Sequence, residues 1–383
     1  MKTVIANGII ISPRGEIRGH ELVIEHGRIV RIRRVASAGR GDSTIDAKGL
    51  FVVPGLIDLH VHGSNAYDTM DATPQALLGM ARFLARHGVT SYLPTTVTAA
   101  SEATLAAIEN VGRTPQPDDG ARHMGIHLEG PYLNHEQRGA QPSQHLRRAA
   151  SDEYGPWLSN GQVKLITVAP EVEGVLPLID AGVREGVEFA LGHTAATYDQ
   201  TREAADHGLR QVTHIFNGMP ALHHRTPGAV GAALSDSRLR CQIIADGIHV
   251  HPAVVRMLIK AKGAGGTILV TDATQATGMP DGAYRLGDQE IQVQEGVART
   301  SAGGLAGSTL TMDQALRNVM QFAGLSLGEA VPMATSTPAA AMNWSDRKGV
   351  IARGADADLI VLDTGYQVRM TMVGGRVVYS TLQ

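Results

Sequence analysis

The chain has little of several things, and each shortage excludes something. Among 383 residues there is one cysteine, Cys241, so no intrachain disulfide framework is possible. A reducing, cytoplasmic setting is the simplest home for such a chain. Aromatic residues are only 4%, with two tryptophans, which argues against a surface that stacks on bases or sugars. Net charge is -3, so no basic excess invites nucleic acid or an anionic membrane surface. No apolar run approaches the roughly 20 residues that a membrane span needs. The first residues, MKTVIANGIIISPRGEI, alternate and then turn, which is not the layout of a signal peptide.

What is present is glycine, 44 residues of it, and hydrophobic residues at 43%. These suit a loop-rich α/β protein with a sizeable core. The two ends read as short strands. Thr3–Ala6, an Asn7-Gly8 hairpin signal and Ile9–Ile11 open the chain; Glu21–Glu25 and Arg28–Ile32 flank His26-Gly27. Near the other end, Asp358–Leu362, Val368–Val373 and Arg376–Tyr379 repeat the texture, with Gly374-Gly375 as a turn. One small β-sandwich domain from residues 1–53 and 346–383 is expected, enclosing a barrel domain over 54–345.

The middle alternates strand and helix. Strands are predicted near 55–60, 89–95, 124–128, 164–169, 188–193, 211–215, 241–246 and 267–272. Helices are signalled at Thr73-Pro74, at Ser101, and from Thr197 to His207 before Gly208. Eight strands with interleaved helices is the count of a (β/α)8 TIM-like barrel. An open doubly wound sheet is the alternative, but its glycine-rich phosphate turn is replaced here by His60-Val61-His62.

Five of the apolar runs deliver a histidine or carboxylate at their carboxyl ends. Leu56–Leu59 leads to His60 and His62, Met124–Leu128 to Glu129, Phe189–Gly192 to His193, Gln211–Thr213 to His214, and Ile268–Thr271 to Asp272. In a strand, residues two apart share a face, so His60 and His62 point the same way. Taken singly, each residue has a bland explanation: a strand-end histidine, a salt-bridged glutamate, a satisfied core histidine, or an aspartate capping a helix. Six of them at the strand ends of one barrel point instead to a site for one or two divalent ions, with chemistry at the barrel's carboxyl end.

The same segments carry a resemblance. GLIDLHVHG (55–63), HLEGPYLN (127–134), GHT (192–194), THIFNGM (213–219), HRTPG (224–228), ADGIHV (245–250), VTDAT (270–274) and LAGSTLTM (305–312) resemble the N-acetylglucosamine-6-phosphate deacetylase family of the amidohydrolase superfamily. The resemblance implies a hydrolase acting on an amino-sugar phosphate, in a homodimer; the imidazole-plus-carboxylate set suits zinc or iron as cofactor better than magnesium. The resemblance makes Glu129, His193 and His214 the primary metal ligands and His60 and His62 a second metal position. Asp272, beside the metal, becomes the acid/base. Asn217, Gly218 and Arg225 become phosphate contacts, with Arg225 reaching the neighbouring subunit's substrate, and His249 contacts the substrate's amide and sugar. The family often has alanine where Gly218 stands. The stretch Gln275–Pro280 departs from the family's run of small residues.

Those residues suit amide hydrolysis. A divalent ion polarises the carbonyl and lowers the pKa of water; Asp272 can take a proton and later give it to the departing amine; His249 can face a developing oxyanion. Three rivals remain at this level: the N-acetylgalactosamine epimer as substrate, a dihydroorotase-like amidohydrolase, and a non-catalytic sugar-phosphate binder. The second would place a bridging lysine at the end of the fourth strand. Here that strand ends Thr167-Val168-Ala169, and Lys164 lies at its start.

Overall fold

Strands covered on both faces read as continuous apolar runs, and the middle of the chain contains eight of them that pair in sequence order. In the computed structural model, which describes residues 2–12, 15–34 and 43–382, they are Leu56–Val61, Val89–Thr96, Ile126–Glu129, Val163–Val168, Glu188–Leu191, Gln211–Val212, Arg240–Ile244 and Thr267–Val270. Each pairs in parallel with the next. The last returns to the first through a parallel bridge between Val61 and Ala273 and a 2.9 Å bond from Asp272 N–H to the His60 carbonyl. This is a nearly closed TIM barrel. Buried Asp58 strengthens the seam: it accepts from the Thr271 hydroxyl at 2.6 Å and from the His60 N–H.

The helices begin where the sequence places them. Thr73 caps Pro74–Arg86 by accepting from Ala76 N–H, and Leu77, Ala81 and Leu84 are buried against the barrel. Thr197 and Gln200 form a reciprocal cap on Tyr198–His207, which Gly208 ends at φ 116°.

The two termini meet in a pair of mixed sheets. A four-stranded sheet runs Arg28–Arg34, His20–Glu25, Lys2–Ala6, Ser43–Asp46. A six-stranded sheet sets Phe51–Pro54 between Ile9–Ser12 and Leu359–Leu362, so a carboxyl-terminal half and an amino-terminal half join edge to edge in one sheet. Ile5, Leu22, Val52, Leu359 and Met370 fill the core they share. Of the terminal segments, residues 1, 13–14, 35–42 and 383 lie outside the described residues. One expectation is corrected. Asn7-Gly8 does not close a hairpin: Lys2–Ala6 pairs in the four-stranded sheet and Ile9–Ser12 beside Phe51–Pro54 in the six-stranded one, so the turn carries the chain from one sheet to the other.

A second correction concerns the segment after Asp272. Gly282–Leu286, Gln289–Gln294 and Val297–Thr300 form an antiparallel three-stranded sheet that the alternating β/α reading did not include. Among the described residues no helix is long and apolar enough to cross a membrane.

Candidate active site

The ligand-type residues reach the barrel mouth by two routes. His60 and Glu129 lie within strands, whose pleat aims them inward. His193, His214 and Asp272 each stand two residues beyond a strand, with φ of 47°, 28° and 50°. A non-glycine residue in that left-handed region costs on the order of 1–3 kcal/mol and persists where surrounding structure enforces it. The sharp turn stops the ladder and throws the side chain over the end of the barrel. It also explains why strands predicted to reach 193, 215 and 272 end at Leu191, Val212 and Val270.

Glu129 sits at the centre, 2% exposed. Its Oε1 is 3.0 Å from His214 Nε2 and 3.1 Å from His193 Nε2, while Oε2 is 3.3 Å from His62 Nε2. Asp272 Oδ1 lies 3.1 Å from His62 Nε2 and 3.4 Å from His60 Nε2. Two ligand groups therefore share one carboxylate: His60, His62, Glu129 and Glu129, His193, His214.

The donor set fits a cation. His193 Nδ1–H donates to the Gln137 carbonyl and His62 Nδ1–H to that of Thr95, which turns each Nε2 lone pair inward. His60 and His62 hold their Nε2 atoms 3.1 Å apart, a contact of two lone pairs unless something positive lies between. Without a metal only protons can serve. Burial opposes charging His62, but hydrogen bonds to Asp272 and Glu129 push it up to about 10. Against the same penalty, His60 and His62 hold Asp272 down to about 2, and His60 and His193 hold Glu129 well below the usual range.

The cavity over this centre has a volume of about 150 Å³. Asn217, Gly218 and His249 line it, as the resemblance implies. Gly218 has φ 62°, and a side chain there would stand 2.7 Å from His193 Nδ1. In this chain glycine is thus required by the His193 placement. Arg225 is not brought to the cavity. It is exposed in a separate groove with Tyr198 and Pro227, its Nη1 2.7 Å from His224 Nε2.

Two polar residues escaped the sequence reading. Gln141 donates to Glu129 Oε2 at 2.6 Å and accepts from Thr98 N–H at 2.7 Å, which fixes the central carboxylate. Asp246 holds His249 Nδ1 at 2.6 Å and also accepts the His249 and Ile248 N–H groups. Burial disfavours the charged imidazole, but Asp246 raises the His249 pKa and leaves Nε2–H as a donor toward the cavity. Gln141 carries no ligand signature by residue type, so only the fold exposes its role; Asp246 closes the predicted strand 241–246 as the other site carboxylates close theirs, and that signal was passed over. The bridging lysine of the dihydroorotase-like alternative is absent: Lys164 is half-buried at the strand's start, bonded to the Gly161 carbonyl, and buried Thr167 faces His127 and Thr213.

A parallel barrel with a glutamate-centred histidine cluster at its carboxyl end defines a metal-dependent hydrolase class, and comparison with known proteins agrees. The amidohydrolase family profile matches residues 51–378, and the chain belongs to that family. It is 38% identical over 360 residues to an N-acetylglucosamine-6-phosphate deacetylase of Vibrio furnissii, covering 93% of this chain and 90% of the relative. It is 38% identical over 370 residues to an N-acetylgalactosamine-6-phosphate deacetylase of Escherichia coli O157:H7, covering 96% and 97%. The crystal structure of an aspartate-to-alanine mutant of N-acetyl-D-glucosamine-6-phosphate deacetylase from Mycobacterium smegmatis, in complex with N-acetyl-D-glucosamine-6-phosphate, superposes with a TM-score of 0.91 at 35% identity, covering 99% of each chain.

Proposed function

We propose that this enzyme hydrolyses the N-acetyl group of N-acetylglucosamine 6-phosphate, giving glucosamine 6-phosphate and acetate. The observation that carries the reading is the sharing of Glu129 between two ligand groups in one cavity lined by Asn217, Gly218 and His249. Glu129, His193 and His214 would hold the primary ion, and His60 and His62 with the shared Glu129 a second. Imidazole with carboxylate suits zinc or iron better than magnesium. Bound there, the metal supplies Lewis-acid polarisation and a water of lowered pKa. Asp272 accepts the proton of the attacking water and passes it to the amine as the C–N bond breaks. His249, held by Asp246, faces the oxygen on which negative charge develops. Asn217 and the Gly218 N–H take the sugar phosphate.

Arg225 lies off the cavity of its own chain, which supports a role at a neighbouring subunit's substrate in a homodimer. The single buried cysteine supports a reducing, cytoplasmic setting. Residues 1–53 with 346–383 form the small domain in this reading, and 54–345 the catalytic one. The E. coli relative favours a second reading, in which the galactosamine epimer is the substrate. An acetate-release assay with added divalent metals decides between them: it compares both N-acetylhexosamine 6-phosphates with unphosphorylated N-acetylglucosamine. Release from neither phosphate would contradict the proposal.

A further inference from the structure

The inference rests on the deacetylase reading above and concerns how long an acyl group the site accepts. An N-acylated amino-sugar phosphate is polar almost everywhere; hydroxyls, amide and phosphate leave the acyl chain as its one apolar group. The cavity is matched to that. Among the described residues that line it, only Leu286 and Leu305 are large and apolar, and the others are histidines, carboxylates, amides, glycine and one alanine. Both leucines come from the segment built around the three-stranded sheet after Asp272. Leu286 ends its first strand and Leu305 follows its third.

Leu286 is the more firmly held of the two. It is 4% exposed and packs with Val97, Ile291, Val293 and Ala298 in a small core of its own. The next residues, Gly287-Asp288, make the tight turn, since Leu286 pairs with Gln289. Gly287 has φ 56°, and a side chain there would meet Val97 at 2.5 Å, so the turn lies flat against that residue. Its N–H donates to buried Asp68 at 3.3 Å, and Thr69 N–H bonds the His62 carbonyl at 2.8 Å. The sheet's tip is thus anchored to the loop that carries a metal-ligand histidine. A wall fixed in this way resists extra methylenes, whereas a loose one would give way.

The geometry points to Leu286 as the residue that sets acyl length: the acyl methyl packs against its side chain, and longer chains are refused by contact with it. The test measures kcat/KM for N-acetyl-, N-propanoyl- and N-butanoyl-glucosamine 6-phosphate by amine release, on metal-loaded enzyme. One methylene in an apolar pocket is worth about 10–200-fold, so the wild type should lose about that factor at each step. Leu286→Ala should narrow the acetyl-to-propanoyl ratio by about tenfold or more. Leu286→Val, the gentler change, should narrow it less and in the same direction. Ile291→Ala loosens the core that holds Leu286 without lining the cavity, and it should narrow the ratio less than Leu286→Ala does. Metal content and thermal unfolding establish that each variant is folded. The proposal is overturned by a wild type indifferent to acyl length, by an unchanged ratio in a folded Leu286 variant, or by an equal shift in Ile291→Ala. A wild type that releases no amine from the N-acetyl substrate overturns the deacetylase reading instead; cleavage of that substrate with unmoved ratios removes only the role of Leu286.

Discussion

Two clusters of buried carboxylates lie in this molecule, and they are neutralised in different ways. Where the terminal sheets meet the barrel, Asp356 and Asp358 are 4% and 5% exposed, and the chain supplies its own fixed cations. Lys348 Nζ is 2.5 Å from Asp358 and 3.2 Å from Asp356, and Arg347 Nη2 is 2.7 Å from Asp356. At the carboxyl end of the barrel, Glu129 and Asp272 are similarly buried, but the ionisable partners they meet are imidazoles, with the neutral Gln141 amide also on Glu129. Lysine and arginine are permanent counter-charges, so the first cluster is complete as it stands. Imidazole is a neutral ligand as readily as a cation, so the second is complete only with protons or a metal. A buried carboxylate beside a fixed cation therefore reads as structure, and one ringed by imidazoles as a metal site.

Variants that treat the clusters differently sharpen the contrast. The largest effect should come from Asp272→Asn, which keeps the shape but removes the proton acceptor: turnover should fall about 10²–10⁴-fold with the thermal unfolding curve nearly unmoved. A variant with near-normal turnover places the acid/base elsewhere. Lys348→Met should do the opposite. Leaving Asp358 buried without its cation costs about 3–5 kcal/mol of stability, seen as a lower Tm, while metal content and the kcat of the folded fraction stay near wild type. If Lys348→Met instead loses metal, the two clusters are not independent.

Arg225→Ala comes next. Loss of one charge-assisted contact costs about 1.5–3 kcal/mol, or roughly 10–150-fold in kcat/KM for the phosphorylated sugar, with little change for the unphosphorylated one. Equal losses for both remove the phosphate role. Mixing Arg225→Ala with Asp272→Asn should restore activity if the arginine acts across a dimer; no gain despite confirmed subunit exchange keeps it within its own chain. The smallest effect is acid stability. Burial alone would raise Asp356, but Arg347 and Lys348 hold its pKa below the usual carboxylate value. A depressed folded-state pKa means stabilisation present above the unfolded value of about 3.9 and lost as pH falls through the folded value. Arg347→Gln should therefore flatten the fall in Tm below about pH 4; an unchanged slope removes that linkage.

Much of the site was legible in the sequence because ligand-type residues at the ends of apolar runs leave a local signal. His60, His62, Glu129, His193, His214 and Asp272 converge as expected. The positive φ at His193, His214 and Asp272 carries no local signal, so the strand ends were overrun. Gln141 acts through a partner that only the fold supplies, whereas Asp246 closes a predicted strand and was passed over. The three-stranded sheet is a different case. Gln289–Gln294 alternates polar and buried apolar residues between two glycine-containing turns, a strand signal that was present but outside the β/α rhythm of its surroundings. Arg225 was named from the family resemblance alone, and its distance from its own cavity depends on loop placement.

The central claim is that the imidazole-ringed cluster is a metal site on which catalysis depends. Its most direct test strips the protein of metal with a chelator, measures metal by elemental analysis, and assays acetate release before and after restoring zinc or iron(II). The account predicts an inactive apoprotein whose activity returns with the metal. It also predicts a bound ratio that falls when His60→Gln and His62→Asn are introduced together into fully loaded protein. Full activity in protein shown to be metal-free would contradict it.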